Sequence, residues 1–322
     1  HPVQKFFLRF SADFRRAEFA FERFKPVEIE DRSVLEPLLL ASEPATCESN
    51  FLNIFVWSHI YGTLYQVCGN RPYVYLTSVD ELLFPAGADG DYPPPDELAH
   101  ASAEMRKQGK NGIIYQVKAD YLEKFPEYAN YFRAEQESED FGEYIYSLQN
   151  LIDLHGSKLA KKKNLISQFK RDYPDYTVVP LTAAQLADCK ALADAWREAK
   201  MQTNPEHVEG IIEEHEALDR AIANYANLSI EGVCIYVEGK LVAFAMCSRI
   251  NSELFTIHFE KNDLAYKGSG QIINQETARA LLPLGKYVDR EQDLGVEGLR
   301  HAKQSYQPIV LLRNYNLIPL EK

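Results

Sequence analysis

Cysteine is scarce in this chain and shows no paired spacing. None of its positions forms a CxxC motif, and their odd number leaves at least one thiol outside any set of disulfides. They are Cys47, Cys68, Cys189, Cys234 and Cys247. This usage fits a reducing compartment, so we interpret the cysteines as core thiols. The eight histidines include no HExxH motif, and we predict no metal site.

Long apolar runs and an excess of basic residues are also absent. No run approaches the roughly 20 apolar residues that cross a bilayer, and no secretion signal opens the sequence, so we predict a cytoplasmic protein without a transmembrane segment. The chain has 35 Lys and Arg against 47 Asp and Glu, a formal net charge of -12. Such acidity argues against a general nucleic-acid surface and leaves room only for a local basic patch.

Motifs for covalent catalysis are missing as well. We find no nucleophile elbow, no Walker loop and no cysteine–histidine pattern. A mechanism with a covalent enzyme intermediate therefore has little support.

The length and the apolar content predict two folded domains. A chain of 322 residues with 46% apolar residues exceeds the roughly 250 to 300 residues at which a single core stops growing. A polar, acidic stretch from 125 to 140 precedes the predicted boundary, which gives domains 1–145 and 146–322. The order of strands, loop, helix and strand recurs in both halves. We therefore predict an α/β (α+β) fold with a mixed β-sheet flanked by helices in each domain.

The periodicity predicts most elements of both halves. In the first half it predicts strands at 65–68, 73–76, 81–84 and 112–117, and a helix at 96–108. In the second half it predicts helices at 158–171, 183–200 and 205–225, strands at 233–237, 241–247 and 254–260, and a helix ending near 282. The stretch 144–154 has helical spacing.

The beginning of the chain has aromatic residues at helical spacing with arginines among them. They are Phe6, Phe10, Phe14, Phe21 and Phe24. An amphipathic helix there would either lie on a membrane surface or pack on a domain or partner, and we favour packing.

The strand at 254–260 leads into a glycine loop. Strict alternation places Phe255, Ile257 and Phe259 on one face and Thr256, His258 and Glu260 on the other. The loop that follows is rich in small residues, which let a backbone approach a ligand, and the helix start after it can bind phosphate. Its residues are Lys267, Gly268, Ser269 and Gly270. An ordinary strand-to-helix turn remains the alternative.

Charged residues of both signs are concentrated between 289 and 308, although a fold does not need such a concentration for its stability. Burying carboxylates and guanidinium groups requires partners for each. Glu260 is a candidate general base, or else forms a salt bridge to Arg290, Arg300 or Lys303. Arg300 and Lys303 share a helical face that suits an anion.

One basic island interrupts the acidic chain, with its lysines spread over more than one helical face. It comprises Lys158, Lys161, Lys162, Lys163, Lys170 and Arg171. A solvated helix surface and a site for a phosphate-rich donor are both open.

Several of these segments also carry a resemblance. The specific one is Arg290-Glu291-x-Asp293-Leu294-Gly295-x-x-Gly298-Leu299-Arg300-x-Ala302-Lys303-x-Ser305-Tyr306-x-Pro308. Shorter matches are Phe259-Glu260-Lys261, the glycine loop, Ile273-Asn274, Gly156-x-Lys158, Lys162-Lys163-Asn164, and Glu48-x-Asn50-Phe51-x-Asn53 with Trp57. Together they resemble the phosphatidylglycerol lysyltransferase C-terminal domain family.

The resemblance implies two tandem acetyltransferase-like (GNAT) domains, related to the Fem aminoacyl transferases, with the site in the second domain. It implies an acyl-CoA or an aminoacyl-tRNA as donor and no tightly bound cofactor. The acceptor would be a small molecule or a peptide, because the family's lysyltransferases, which use a lipid, carry a transmembrane region that this chain lacks. A coenzyme A loop usually begins with Gln or Arg where this chain has Ala265, although Gly268 and Gly270 match.

From these residues we predict an acyl or aminoacyl transferase with named roles. The catalytic candidates are Glu260, Asp293 and Tyr306. The donor or phosphate ligands are Lys267, Gly268, Ser269, Gly270, Arg300 and Lys303, and the substrate ligands are His258, Asn274, Arg290, Glu291, Lys158 and Lys162. The alternative is a GNAT-like ligand-binding or scaffolding protein that has lost transfer chemistry. A non-enzymatic RNA binder that uses the lysine island ranks last.

Overall fold

Two seven-stranded mixed sheets, one in each of two units, organise the chain. The computed structural model describes residues 19–87 and 91–321. The first unit comprises the residues up to Gly142 and those from Arg313 onward, and the second unit spans Glu143–Leu312. The predicted architecture of two mixed sheets flanked by helices is confirmed. The predicted division after residue 145 lies inside a strand of the second unit, and the last residues belong to the first unit because they pair with its sheet.

Among the described residues, the first unit contains six strands and five α-helices of the first half, together with the final strand of the chain. The strands are β1 (Lys25–Pro26), β2 (Thr63–Cys68), β3 (Arg71–Leu76), β4 (Glu81–Leu83), β5 (Ile114–Val117), β6 (Phe132–Gln136) and β14 (Tyr315–Pro319). The helices are α1 (Arg32–Ala41), α2 (Phe51–Val56), α3 (Ser58–Tyr61), α4 (Pro95–Lys107) and α5 (Ala119–Lys124). Oδ1 of Asn50 accepts a hydrogen bond from the backbone N–H of Asn53 at 3.2 Å, so Asn50 caps the N-terminus of α2.

The first sheet has the order β1-β2-β3-β4-β5-β14-β6. Every residue of β3 is buried, including Arg71, whose Nε lies 3.0 Å from the Glu97 carboxylate of α4. The Tyr73 hydroxyl donates to the same carboxylate at 3.0 Å. This buried charge therefore has its partners and fastens α4 to the sheet.

The aromatic segment at the start of the chain is described only in part. Residues 1–18 lie outside the described residues, and most of the predicted amphipathic helix falls there. Phe21 and Phe24 follow in a short 3₁₀ turn and pack their rings against Tyr75 of β3. Within the described residues no helix is both long enough and apolar enough to span a bilayer.

The second unit contains the remaining elements. Its strands are β7 (Glu143–Ser147), β8 (Thr177–Pro180), β9 (Glu231–Val237), β10 (Lys240–Arg249), β11 (Leu254–Asn262), β12 (Tyr287–Asp289) and β13 (Val310–Leu312). Its helices are α6 (Leu148–Asp153), α7 (Ala160–Asp172), α8 (Leu186–Thr203), α9 (Val208–Ala223), α10 (Ser269–Leu281) and α11 (Glu297–Gln304). The predicted helix over 144–154 is wrong for its first third, where β7 is found.

The second sheet has the order β13-β7-β12-β11-β10-β9-β8, and helices cover both of its faces. Apolar residues of α6, α7 and α10 share one core with Phe255 and Ile257 of β11. On the opposite face, Lys261 of β11 reaches Glu214 of α9 at 2.6 Å and lies 3.6 Å from the centre of the Trp196 ring of α8.

A β-bulge in β11 changes the predicted alternation. Met246 of β10 pairs with Phe259 and Cys247 pairs with Ile257, so His258 is one extra residue on β11. Beyond the bulge, Glu260 pairs with Ala245 and shares the face of Ile257, while Phe259 lies on the opposite face with Met246. The prediction that Glu260 shares a face with His258 is therefore wrong, because an inserted residue reverses the side-chain period of two.

Candidate functional site

Strand β11 has an open edge along its second half. Parallel pairing with β12 covers only Leu254–Thr256, whereas pairing with β10 continues to Asn262. Within the described residues no strand pairs with 257–262 on the β12 side. Backbone N–H and C=O groups on such an edge can bind a ligand.

An ion pair between Glu260 and Arg290 lies at this edge. Their Oε1 and Nη2 atoms are 2.9 Å apart, and the two side chains are only 18% and 19% exposed. The salt bridge that the sequence offered as an alternative for Glu260 is thus confirmed, with Arg290 as partner. Burial alone lowers the pKa of the Arg290 guanidinium, but the Glu260 carboxylate outweighs this and raises it. The Arg290 guanidinium therefore stays charged.

Each member of this pair keeps an unused hydrogen-bonding atom. Oε2 of Glu260 and Nη1 of Arg290 are buried and have no hydrogen-bond partner among the described residues. Buried polar atoms of this kind are rare in folded proteins. Oε2 of Glu260 can therefore accept a hydrogen bond from a ligand, and Nη1 of Arg290 can donate one.

Tyr306 and Lys162 flank the ion pair. Nζ of Lys162, on α7, lies 4.1 Å from the centre of the Tyr306 ring. Burial raises the pKa of the Tyr306 hydroxyl, although Arg290 partly opposes this. Burial lowers the pKa of Lys162, and the charges of Lys161 and Arg290 lower it further. The Tyr306 hydroxyl is therefore protonated at neutral pH and can act as a proton donor.

Asp293 stabilises the loop after β12 by accepting hydrogen bonds from several donors. Its carboxylate accepts from the Tyr144 hydroxyl at 2.6 Å, from Nε and Nη2 of Arg300 at 2.8 and 2.9 Å, and from the backbone N–H of Gly295 at 2.9 Å. Arg300 is the main cause that lowers the pKa of Asp293 to about 2. A fully buried carboxylate with four donors is a poor base, so the geometry speaks against the predicted proton transfer at Asp293.

Arg300 and Lys303 hold the same loop. Nζ of Lys303 donates to the carbonyl oxygens of Arg290 and Gln292, the latter at 2.7 Å. Both cations of α11 thus bind acceptors within the chain, and their predicted contact with an anionic donor stays a prediction. The loop also contains two non-glycine residues with positive φ, Glu291 at 61° and Leu294 at 52°.

A second cluster of polar side chains, around His258, lies on the face of the second sheet that is opposite to Glu260. Nε2 of His258 lies 2.6 Å from the Ser248 hydroxyl, and its Nδ1 lies 4.0 Å from the Glu291 carboxylate. Burial lowers the pKa of His258 to about 3, so its ring is neutral at pH 7. Nδ1 of His258 and Oγ1 of Thr256 are buried without a hydrogen-bond partner among the described residues.

The glycine loop before α10 is packed against α7. Gly268 has φ +87°, and a Cβ there would lie 2.5 Å from the carbonyl oxygen of Leu165. The backbone N–H of Ser269 donates to the Tyr266 carbonyl at 3.0 Å, and its hydroxyl donates to the Asp263 carbonyl at 2.9 Å. Close packing between loop and helix therefore explains Gly268 without a phosphate.

The other predicted ligands lie in different surroundings. Lys158 and Lys267 are exposed. Asn274 of α10 is buried, and neither atom of its amide has a hydrogen-bond partner among the described residues. These positions supply a charged surface and one unsatisfied amide.

The residues that β7 contributes to the site were not predicted from the sequence. Tyr144 donates to Asp293, and the buried Tyr146 donates to the Lys303 carbonyl at 2.7 Å. Thr256 and Ser248 were also missed as site residues. The triplet Tyr144-Ile145-Tyr146 has the aromatic and β-branched composition of a strand, which was the available signal.

A family described as "Phosphatidylglycerol lysyltransferase, C-terminal" matches residues 41–318. An uncharacterized protein of Mycoplasmoides gallisepticum is 22% identical over 174 residues, which are 53% of this chain and 54% of that protein. This chain thus spans about half the length of that curated relative.

Solved structures that are similar to this chain include one from Bacteroides thetaiotaomicron and one from Agrobacterium fabrum. A conserved protein of unknown function from Bacteroides thetaiotaomicron VPI-5482 is 29% identical with a TM-score of 0.82, over 92% of this chain and 99% of that one. The C-terminal domain of a putative lysylphosphatidylglycerol synthetase from Agrobacterium fabrum is 15% identical with a TM-score of 0.60, over 90% and 91% of the two chains. The second likeness concerns the fold alone.

Proposed function

The chain belongs to the phosphatidylglycerol lysyltransferase C-terminal family, and from that premise we propose that it is an acyl or aminoacyl transferase. The donor is an activated ester or thioester, and the acceptor is an amine or a hydroxyl group. The supporting observation is the Glu260–Arg290 pair at the open edge of β11, with the unpartnered Oε2 of Glu260. A positioned carboxylate can act as a general base, and backbone N–H groups in a water-poor site can stabilise an oxyanion.

In the proposed reaction, Oε2 of Glu260 takes the proton of the acceptor as its nitrogen or oxygen attacks the donor carbonyl. A new C–N or C–O bond forms, and the donor's C–O or C–S bond breaks. Backbone N–H groups at the open edge of β11 stabilise the oxyanion. The Tyr306 hydroxyl protonates the departing oxygen or sulfur, and it recovers its proton from solvent while Glu260 loses its own.

The remaining groups are assigned to binding. Lys162 and the exposed lysines of α7 meet the donor's phosphates, whether the donor is an acyl-CoA or an aminoacyl-tRNA. The acceptor binds at the open edge of β11 beside Oε2 of Glu260, whereas His258, Thr256 and Glu291 lie on the other face of the sheet and take no part in its deprotonation. A small molecule or a peptide is the acceptor that we propose.

Thermal shift with a panel of donors tests this function. The purified protein is titrated with acyl-CoAs and with charged and uncharged tRNAs, and turnover of each hit is then followed. Because ligands that bind the folded state raise its stability, we expect one donor class to stabilise the wild-type protein and Glu260→Gln alike, with turnover only in the wild type. No stabilisation and no turnover with any donor would contradict the proposal.

A second candidate is a ligand-binding or scaffolding protein without transfer activity. Its support is that Arg300 and Lys303, two expected donor ligands, bind Asp293 and loop carbonyls. Tight binding of a donor without turnover would favour this candidate.

A further inference from the structure

We propose that the second unit carries a separate groove for a neutral aliphatic molecule, between β8 and β9 and the C-terminal half of α10. The groove has a volume of about 410 Å³, within the range of ~300 to 1,000 Å³ that small-molecule pockets occupy. Its apolar walls are formed by Val178, Val179, Pro180, Val233, Ala280 and Leu281. The proposal goes beyond the proposed function, because no group transfer is involved.

One buried hydroxyl group in this groove calls for a hydrogen-bond partner. Thr277 lines the groove and is only 1% exposed, and its Oγ1 has no hydrogen-bond partner among the described residues. A threonine within a helix commonly satisfies its hydroxyl on the carbonyl four residues earlier, here that of Ile273. Because Thr277 makes no such bond, and because an unsatisfied buried hydroxyl is costly, a ligand with an oxygen acceptor fits this point.

The charges around the groove select against an anion. Arg279 forms an ion pair with Glu276 one turn earlier on α10, and Glu231 adds an exposed carboxylate at the opposite wall. The rim is therefore negative overall. Cys247 also lines the groove, and burial raises the pKa of its thiol, which stays neutral. An aliphatic chain with an amide or ester carbonyl matches this combination of apolar walls and one hydroxyl donor.

Three probes with one chain length and different head groups test the class of ligand. N-methyloctanamide, octanoate and octylamine are titrated into the full chain by calorimetry. We expect the amide to bind most tightly. Thr277→Val should weaken amide binding about 3- to 10-fold, because one hydrogen bond is lost, and Thr277→Ser should retain it. Ala280→Trp should abolish binding by filling the groove, whereas Ala191→Trp, at an exposed position of α8, should leave it unchanged.

Each result decides the proposal. Undetectable amide binding by the wild-type protein, or equal binding by Ala280→Trp, overturns the groove as a site. Tighter binding of octanoate or octylamine overturns the neutral class. Unchanged affinity of Thr277→Val overturns the role of the hydroxyl. Thermal unfolding verifies that every variant is folded. If Thr277→Val is not folded, a loss of amide binding in Thr277→Ser overturns the role of the hydroxyl instead.

Discussion

The Glu260 carboxylate and the Arg290 guanidinium are joined at 2.9 Å, and each leaves one buried atom without a hydrogen-bond partner among the described residues. Glu260 comes from β11 after the bulge, and Arg290 comes from the residue that follows β12. The pair therefore spans the point where these two parallel strands separate. A buried ion pair with unused capacity is weak evidence for stability and stronger evidence for a site.

Removing one member of this pair should destabilise the second unit. In Glu260→Ala the Arg290 guanidinium stays buried without its counterion, so we expect a loss of about 3 kcal/mol in the free energy of unfolding. The double variant Glu260→Leu with Arg290→Met should recover stability to within about 1 kcal/mol of the wild type while remaining inactive. Urea unfolding measures both. A Glu260→Ala variant as stable as the wild type would contradict a buried pair.

Asp293 should stabilise the fold in a defined range of pH. Its pKa is lowered from 3.8 to about 2, mainly by Arg300, so its contribution is full above pH 4 and is lost as the pH falls from about 4 to 2. We expect Asp293→Asn to be less stable than the wild type by on the order of 2 kcal/mol at pH 6, and the difference to disappear near pH 2. Glu297→Gln, at an exposed position of α11, is the control. A difference that does not depend on pH would argue against the ionised clamp.

Two glycines of the same loop should respond in opposite ways. Gly268→Ala combines a positive φ with a Cβ 2.5 Å from the Leu165 carbonyl, and we expect a loss of at least about 2 kcal/mol. At Gly270 the nearest atom lies 3.4 Å from an added Cβ, which is ordinary contact. Because alanine favours a helix, Gly270→Ala should be neutral or stabilising by up to about 1 kcal/mol. Thermal unfolding compares them, and equal losses would refute the packing explanation.

Two carboxyl groups of the first unit should make its stability fall as the pH rises. Burial, with repulsion from Glu48, raises the pKa of both Glu81 and Glu137 from 4.5 to about 7. Since the folded state holds these protons more tightly, their stabilisation is full below pH 4.5 and is lost as the pH rises through 7. Relative to the wild type, Glu137→Gln should gain on the order of 2 kcal/mol between pH 4.5 and 8. The exposed Glu139→Gln should show no such gain, and equal pH profiles of both variants would disprove the shift.

The sequence predicted the long elements of the second unit because their apolar residues repeat with a clear period. α8, α9, β10 and α10 all lie where the periodicity places them. The bulge at His258 could not be predicted, because the local sequence around it continues to alternate. It decides which face Glu260 occupies, and only the register with β10 reveals it.

The charged block was recognised as important, but its roles divide in a way that the sequence could not show. Arg290 faces Glu260, whereas Arg300 faces Asp293. Both arginines lie in one continuous motif. Only distances between residues far apart in sequence show that Arg290 belongs to the candidate site and that Arg300 stabilises the loop beside it. The return of β14 to the first sheet is equally non-local, since Leu317 pairs with Ile114 and Ala134.

Single-turnover transfer by wild type and Glu260→Gln tests the central claim most directly. With a donor that stabilises both proteins, release of the free thiol or of uncharged tRNA is followed in the presence of an amine acceptor. General base catalysis contributes about 10²- to 10⁴-fold, so we predict at least a 100-fold slower reaction for Glu260→Gln and an unchanged rate for Glu297→Gln. A Glu260→Gln variant that transfers at the wild-type rate would contradict the proposed role of Glu260 and of the open edge of β11.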